Sequence, residues 1–207
     1  MKNKAHWENI YNTKDSAEVS WFKPHIAASL KIISNLNIQK SEPIIDVGGG
    51  ASTLADDLLK EGFQDITVLD ISKKALEVAQ ERLGKQSKKI QWIEGDVTQV
   101  KLTEKYYGIW HERAVFHFLT SSEEKRNYID LLERSLKSTG HVVMAVFSLK
   151  GPTKCSGLEI IRYSPESLQS ELGEIFKLIK EFTEIHQTPF GTIQDFIYCH
   201  FQRIANQ

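Results

Sequence analysis

The feature that most constrains this chain is a short apolar run that enters a glycine turn: Pro43-Ile44-Ile45-Asp46-Val47, then Gly48-Gly49-Gly50-Ala51. A brief run of branched aliphatics reads as a buried strand. The glycines that follow let the backbone take conformations closed to other residues and pass close to a ligand. A helix is expected from Ala51 to Glu61, ended near Gly62. A strand, a glycine turn and a helix in that order place a ligand outside the carboxyl ends of a parallel sheet.

The alternation continues. Ile66 to Leu69 is a second strand with Asp70 at its end, and Ser72 is suited to cap a helix through Leu83 that Gly84 stops. Ile90 to Ile93 and Tyr107 to Trp110 are the third and fourth strands. Glu123 to Leu136 reads as a helix whose exit turn ends at Gly140. His141 to Phe147 is nearly all apolar, as in a strand buried on both faces. Ser164 caps a further helix through Leu172, with Pro165 in its first turn. Phe176 to Ile185 and Thr192 to Arg203 flank Thr188-Pro189-Phe190-Gly191 and read as an antiparallel hairpin. Strands alternating with helices imply βαβ units with right-handed crossovers. Ahead of the first strand, residues 1–23 form an extension carrying Trp7, Tyr11, Trp21 and Phe22. Next, His25 to Leu36 places Ile26, Leu30, Ile33 and Leu36 at helical spacing. The expectation is one α/β domain over residues 1–207.

Composition narrows the function. A formal net charge of −1 offers no bulk attraction to nucleic acid or an acidic membrane, so neither is an expected partner. The cluster of Lys85, Lys88 and Lys89 reads as a solvated loop. No run approaches the roughly 18 apolar residues of a membrane span, and the amino terminus has no apolar signal core. Cys155 and Cys199 are far apart and make neither a CxxC pair nor a zinc-ligand spacing. These features lead us to expect a cytoplasmic protein without a bound metal.

The identity of the ligand turns on details of the turn. Gly48-x-Gly50 opens a dinucleotide fingerprint, but Thr53 stands where the third glycine belongs. Asp46 would repel a pyrophosphate and suits the ammonium, or the bound-water network, of an amino-acid moiety. Asp70 can accept hydrogen bonds from both hydroxyls of a ribose. In Glu94-Gly95-Asp96-Val97, Asp96 can accept from an adenine amino group and Val97 offers a backbone amide. Each aspartate alone also reads as a cap or turn residue. In this order they match ammonium, ribose and adenine, the parts of S-adenosylmethionine (SAM), which carries no phosphate.

Asp46-x-Gly48-x-Gly50, Asp70, Asp96 and the terminal strand pair resemble the class I SAM-dependent methyltransferases over about residues 25–207. The resemblance implies a Rossmann-like seven-stranded sheet with helices on both faces and a C-terminal antiparallel hairpin. It implies SAM as cofactor, held by Asp46, Gly48, Gly49, Gly50, Asp70, Ile71, Asp96 and Val97, with Trp21 and His111 beside them. Val47 to Leu54 and Ile109 to Thr120 are similar to a bacterial methyltransferase group with no assigned acceptor.

Methyl transfer is an in-line displacement that needs a nucleophile about 3 Å from the methyl carbon, away from water. A base helps where the acceptor carries a proton. The segment after the fourth strand is dense in titratable groups, and His111, Glu112, Arg113 and His117 are the catalytic candidates. Arg113 can hold an anionic acceptor or pair with Glu112, while His111 or His117 can take a proton or simply fill the core. Glu112-Arg113-Ala114 resembles the Asp-Arg-Gly element of thiopurine-type thiol methyltransferases and the Asp-Lys-Gly element of elongation-factor lysine methyltransferases. It has Glu for Asp and Ala for Gly. The Asn/Asp-Pro-Pro-Tyr/Phe signature of nucleic-acid N-methyltransferases is absent. His6 to Tyr11 and Glu18 to Phe22 resemble the lids of both protein groups. Their aromatics can surround the sulfonium or staple the extension to the core. The loop from Gly151 to Leu158, with Arg162 and Tyr163 beyond it, is expected to border the acceptor, and methyl transfer demands nothing of Cys155. The expected acceptor is a small molecule, a thiol or other soft nucleophile. The alternatives are a protein lysine and a fold that binds SAM without catalysis. A nicotinamide oxidoreductase is opposed by Asp46 and by the missing third glycine.

Overall fold

A computed structural model describes residues 4–204; the first three and last three positions of the expected domain lie outside the described residues. The chain opens with helices α1 (Lys4–Thr13) and α2 (Ala27–Ser34). It then alternates through β1 (Ile44–Val47), α3 (Leu54–Lys60), β2 (Ile66–Asp70), α4 (Lys73–Leu83), β3 (Ile90–Glu94), β4 (Tyr107–Arg113), α5 (Ser122–Ser135) and β5 (Leu136–Phe147). A small pair, β6 (Lys154–Cys155) and β7 (Leu158–Glu159), precedes α6 (Pro165–Leu172), β8 (Phe176–Gln187) and β9 (Ile193–Arg203).

Seven strands form one sheet in the order β3-β2-β1-β4-β5-β9-β8. The first five are parallel, and β9 runs antiparallel between β5 and β8. Strand order reverses between β1 and β4, the point at which such sheets bind ligands. Alternate strand residues serve opposite faces, as a pleat requires. Ile44, Ile109, Val143 and Ala145 pack with Ile33, Leu54, Leu58 and Leu76 of α2, α3 and α4. Ile45, Trp110, Val142 and Met144 pack with Tyr128, Leu132 and Leu168 of α5 and α6. Helices therefore cover both faces.

Local chemistry sets many boundaries. The Ser72 Oγ accepts the Ala75 N–H at 3.1 Å and starts α4, and Gly84, at φ +55°, ends it. Ser121 and Glu124 form a capping box on α5, and Ser164 and Ser167 do so on α6. Three boundaries differ from the sequence pattern. Helix α3 begins at Leu54 rather than Ala51, because residues 51–53 are spent on the turn and Ser52 Oγ accepts the Leu54 N–H. Strand β4 runs on to Arg113. Gly140 lies inside β5 and is not an exit turn. Tyr107 pairs with Leu136 and Ile109 with His141, so β5 advances from 136 to 141 while β4 advances from 107 to 109. A Cβ on Gly140 would lie 2.6 Å from the Leu136 side chain folded over it. Strand β9 is buried on both faces from Phe196 to Phe201: Phe196 and Tyr198 join the cluster under α2, α3 and α4, and Ile197, Cys199 and Phe201 the cluster under α5 and α6. No helix among the described residues is long and apolar enough to cross a membrane.

Candidate active site

The glycine turn leaves β1 at the switch point. Gly48 has φ +67°, and a Cβ there would stand 2.1 Å from Val115 Cγ2. Gly50 has φ +30°, and its Cβ would lie 2.5 Å from Asp70 Oδ2 and 2.9 Å from Ala75 Cβ. The turn thus presses against the ends of β2 and β4, which only residues without a side chain allow.

Asp46 is buried beneath the turn. Its Oδ1 lies 2.7 Å from His111 Nδ1, and His111 Nε2 lies 2.7 Å from Ser29 Oγ on α2. An ionised carboxylate only accepts, so the network assigns the proton to Nδ1 and leaves Nε2 to accept from the serine hydroxyl. The other carboxylate oxygen, Oδ2, is buried and has no partner among the described residues. Gly49 leaves the room it occupies. Asp70, at the end of β2, accepts the Ser72 N–H at 2.8 Å. Burial pushes its carboxyl up to about 7 against the pull of that amide, and the charge of Asp46 adds to the rise. Asp96 follows β3 and accepts both the N–H and the hydroxyl of Thr98, at 2.9 and 2.7 Å.

A cavity of about 690 Å³ joins these strand ends. Gly48, Asp70, Ile71, Asp96 and Val97 line it together with Trp7, Trp21, Arg113, Phe118 and Cys155. A second cavity of about 50 Å³ touches Asp46, Gly48, Gly49, His111, Trp21 and Arg113. Helix α1 roofs the large cavity. The Glu8 carboxylate accepts the Lys73 and Lys74 N–H groups at 2.7 and 3.3 Å, at the amino end of α4, where negative charge is favoured. Lys4 pairs with Glu94 at the end of β3. The Trp7 ring meets Trp21 and Phe118 edge-on, with centroids 5.5 and 5.1 Å away. Trp21 Nε1 donates to the Tyr11 hydroxyl at 3.3 Å.

The four acceptor-side candidates part company. His111 is enclosed between Asp46 and Ser29 and borders only the smaller of the two cavities. Glu112 leaves the opposite face of β4, where its Oε2 accepts the Val115 and Phe116 N–H groups at 2.7 and 3.2 Å. Burial pushes its carboxyl up to about 8 against those amides, and the nearby Asp46 charge adds to the rise. It clips the turn through Ala114, at φ +66°, that sets Val115 against Gly48. His117 is fully buried, its Nδ1 accepting the Phe147 N–H at 3.3 Å. Burial lowers its pKa to about 3, and the Arg113 charge adds to the fall, so it stays neutral. Arg113 alone of the four lines the large cavity. It forms no ion pair with Glu112, because neighbouring strand residues face opposite ways.

Cys155 also lines the large cavity, but burial pushes its thiol up to about 12, so it remains protonated. The 151–158 loop forms the hairpin β6–β7, with Ser156 and Gly157 at φ +52° and +77° in its turn. Arg162 is tied to the Leu149 and Gly151 carbonyls, and Tyr163 packs in the core, so neither borders the two cavities. Ser29 and Glu8 escape a reading of the sequence. The one available signal for Ser29 is a small polar residue on the apolar face that holds Ile26 and Ile33.

Residues 44–140 match the family described as a methyltransferase domain. Over 138 residues the chain is 22% identical to the eEF1A lysine and N-terminal methyltransferase of Bos taurus, a match that covers 67% of this chain. The match takes in 19% of that protein, so the chain spans about a fifth of the length of the curated relatives it matches. In structure it is similar to the N-methyltransferase NodS of Bradyrhizobium japonicum in complex with S-adenosylhomocysteine (SAH). The TM-score is 0.73 at 17% identity, over 97% of this chain and 98% of that one. It is also similar to a structure from work on the conversion of a disulfide bond into a thioacetal group during echinomycin biosynthesis. There the TM-score is 0.77 at 16% identity, over 99% and 93% of the two chains. At these identities the structural likeness speaks for the fold. The family match takes in the strands and turns that carry Asp46, Gly48, Asp70 and Asp96: over residues 44–140 the chain carries a methyltransferase domain, with the fold of SAM-dependent methyltransferases.

Proposed function

We propose that the enzyme transfers the methyl group of SAM to a small-molecule acceptor, a thiol or another soft nucleophile, bound beneath α1. The observation that carries this reading is the single cavity that joins the strand-end carboxylates to an aromatic wall under a docked helix. About 690 Å³ is room for a cofactor and a modest second molecule.

The residues present fit the cofactor. The unpartnered, buried Oδ2 of Asp46 suits an ammonium, and His111 and Ser29 keep that carboxylate in one orientation. Asp70 and Ile71 suit the ribose, Asp96 and Val97 the adenine, and Gly48 and Gly50 leave the space between them. SAM, when bound, supplies an electrophilic methyl group on a sulfonium. Trp7, Trp21 and Phe118 exclude water from the acceptor half and offer ring faces to a cation. Neither His111 nor His117 lines that half, so the two residues proposed as bases stand away from it. A thiol, with a solution pKa of about 8.5, ionises without one far more readily than a lysine of about 10.4.

A protein lysine is the second reading, supported by the name of the curated relatives over the segment they share with this chain. The experiment that separates the two incubates the enzyme with SAM labelled in its methyl group and either a panel of small thiols or a cell protein extract. Label in a thiol product supports the first reading. Label confined to protein overturns it.

A further inference from the structure

We propose that the outer edge of β8 is a self-association surface whose partner is a second copy of this chain, paired antiparallel about a two-fold axis at Phe182. Strand β8 ends the sheet and has β9 on one side only. Pairs along an antiparallel ladder alternate between those that exchange hydrogen bonds and those that turn their backbone groups away from each other. Two bonds fix the phase of that alternation. The Thr188 N–H donates to the Thr192 carbonyl at 2.8 Å, and the Asp195 carbonyl turns toward β5 to accept the Ser148 N–H at 2.9 Å. Asp195 is paired with Ile185, so Ile185 turns its own groups outward, and Glu181, Thr183 and Gln187 do the same. The fold closes only the start of this edge. Gln169 of α6 accepts the Leu178 N–H at 2.9 Å and donates to the Phe176 carbonyl at 2.5 Å. No such cover reaches the outward backbone groups of residues 181–187 from elsewhere among the described residues. Ile179 and Ile185 on this strand are also exposed, at 48% and 59%. A long open edge with apolar side chains is a template for a further strand.

The side chains identify the strand that fits. The register irregularity of β8 lies between Leu178 and Lys180, so regular pairing is available from Lys180 onward. In a two-fold antiparallel pair, opposed residues share a face of the sheet, so the axis passes through one residue of each copy. Between Lys180 and Glu184 there are few choices. An axis at Lys180, Glu181 or Glu184 sets a charge opposite its own copy, and an axis at Thr183 sets Phe182 opposite Glu184. An axis at Phe182 sets Lys180 opposite Glu184 of the partner subunit, twice by symmetry, and brings the two Phe182 rings together. Opposite charges and aromatic pairs across strands are both stabilising, and like charges are not. Phe182 already stacks on Tyr198, with centroids 5.1 Å apart and planes at 3°, so the seam continues an aromatic row. Lys180 is exposed and free to reach across. Glu184 already holds Lys23 at 2.7 Å, and the remaining lone pairs of its carboxylate admit a second cation. The same charges disfavour every other register.

Sedimentation equilibrium of the full chain tests this, with circular dichroism to show that each variant is folded. Wild type should follow a monomer–dimer equilibrium within about 1–100 µM. Lys180→Glu and Glu184→Lys should each weaken it about tenfold or more, because each makes both cross-seam pairs like-charged. An equimolar mixture of these two variants should dimerise again, since opposite charges then face each other at both pairs. Thr183→Pro removes an outward N–H, leaves the bonds to β9 in place and should stay monomeric. A wild type that is monomeric throughout the range overturns the proposal. So does a dimer that survives both Lys180→Glu and Thr183→Pro, which would use another face, or a mixture of the charge variants that stays monomeric.

Discussion

Replacing Ser29 by alanine removes one hydroxyl from a buried chain of three groups. Ser29 Oγ and His111 Nε2 are 2.7 Å apart, and both residues are shielded from solvent. With His111 Nδ1–H committed to Asp46 at 2.7 Å, the Nε2 lone pair of Ser29→Ala is left buried without a donor. An unsatisfied buried acceptor costs about 1–3 kcal/mol. The hydroxyl is small, so the cavity contribution is minor and the estimate rests on the polar group alone. In a domain of this size, 1 kcal/mol corresponds to about 2–4 °C in Tm. Urea unfolding followed by circular dichroism should show a lower midpoint at an unchanged slope. A loosened His111 should also loosen Asp46, so SAH should lose more affinity than 5′-methylthioadenosine, which lacks the amino-acid end. A midpoint equal to wild type, with both ligands bound as before, would refute the argument that this chain holds Asp46 in place.

Stability of the ligand-free enzyme should depend on pH through Asp70 and Glu112. Their folded values, about 7 and about 8, stand above the ordinary 3.8 and 4.5, so both groups stabilise the fold when protonated. That stabilisation is complete below the ordinary values and is lost as pH rises through about 7 and then about 8. Thermal unfolding across this range should show the decline, and Glu112→Gln, which stays neutral and keeps an oxygen for the Val115 amide, should flatten its upper part. SAH affinity should rise as the pH passes about 7, where Asp70 becomes fully able to accept from two hydroxyls; an affinity that is flat or falling there counts against the ribose assignment. Gly50→Ala would put a Cβ 2.5 Å from Asp70 Oδ2, and should destabilise by about 1–3 kcal/mol and depress SAH binding in the same titration. Glu8→Ala removes the acceptor for the Lys73 and Lys74 amides, and hydrogen exchange across residues 4–13 should quicken while the sheet stays protected.

How much of this was legible depended on how local the determining chemistry is. Ser72 and Gly84 bound α4 through groups within one turn of themselves, and both are visible in the sequence. The Asp46, Asp70 and Asp96 spacing was legible because each sits at a strand end, where the fold leaves little freedom. Gly140 misleads because a glycine after a helix usually marks a stop, whereas the pairing of Leu136 with Tyr107 is a contact between distant segments. Helix α1 is short and largely polar, and it is held by Glu8 at α4 and Trp7 at Phe118, partners that the sequence does not bring near. The titratable run after Trp110 looks like one cluster in the sequence. Once β4 extends to Arg113, the two-residue period sends Glu112 to the face opposite His111 and Arg113, and the cluster divides.

The central claim is that the cavity at the switch point takes SAM. Isothermal titration of the purified protein with SAM and SAH, with NADH as control, tests it most directly. Saturable heat from both adenosyl compounds and none from NADH is the predicted result. Heat from NADH alone, or from none of the three, would contradict it.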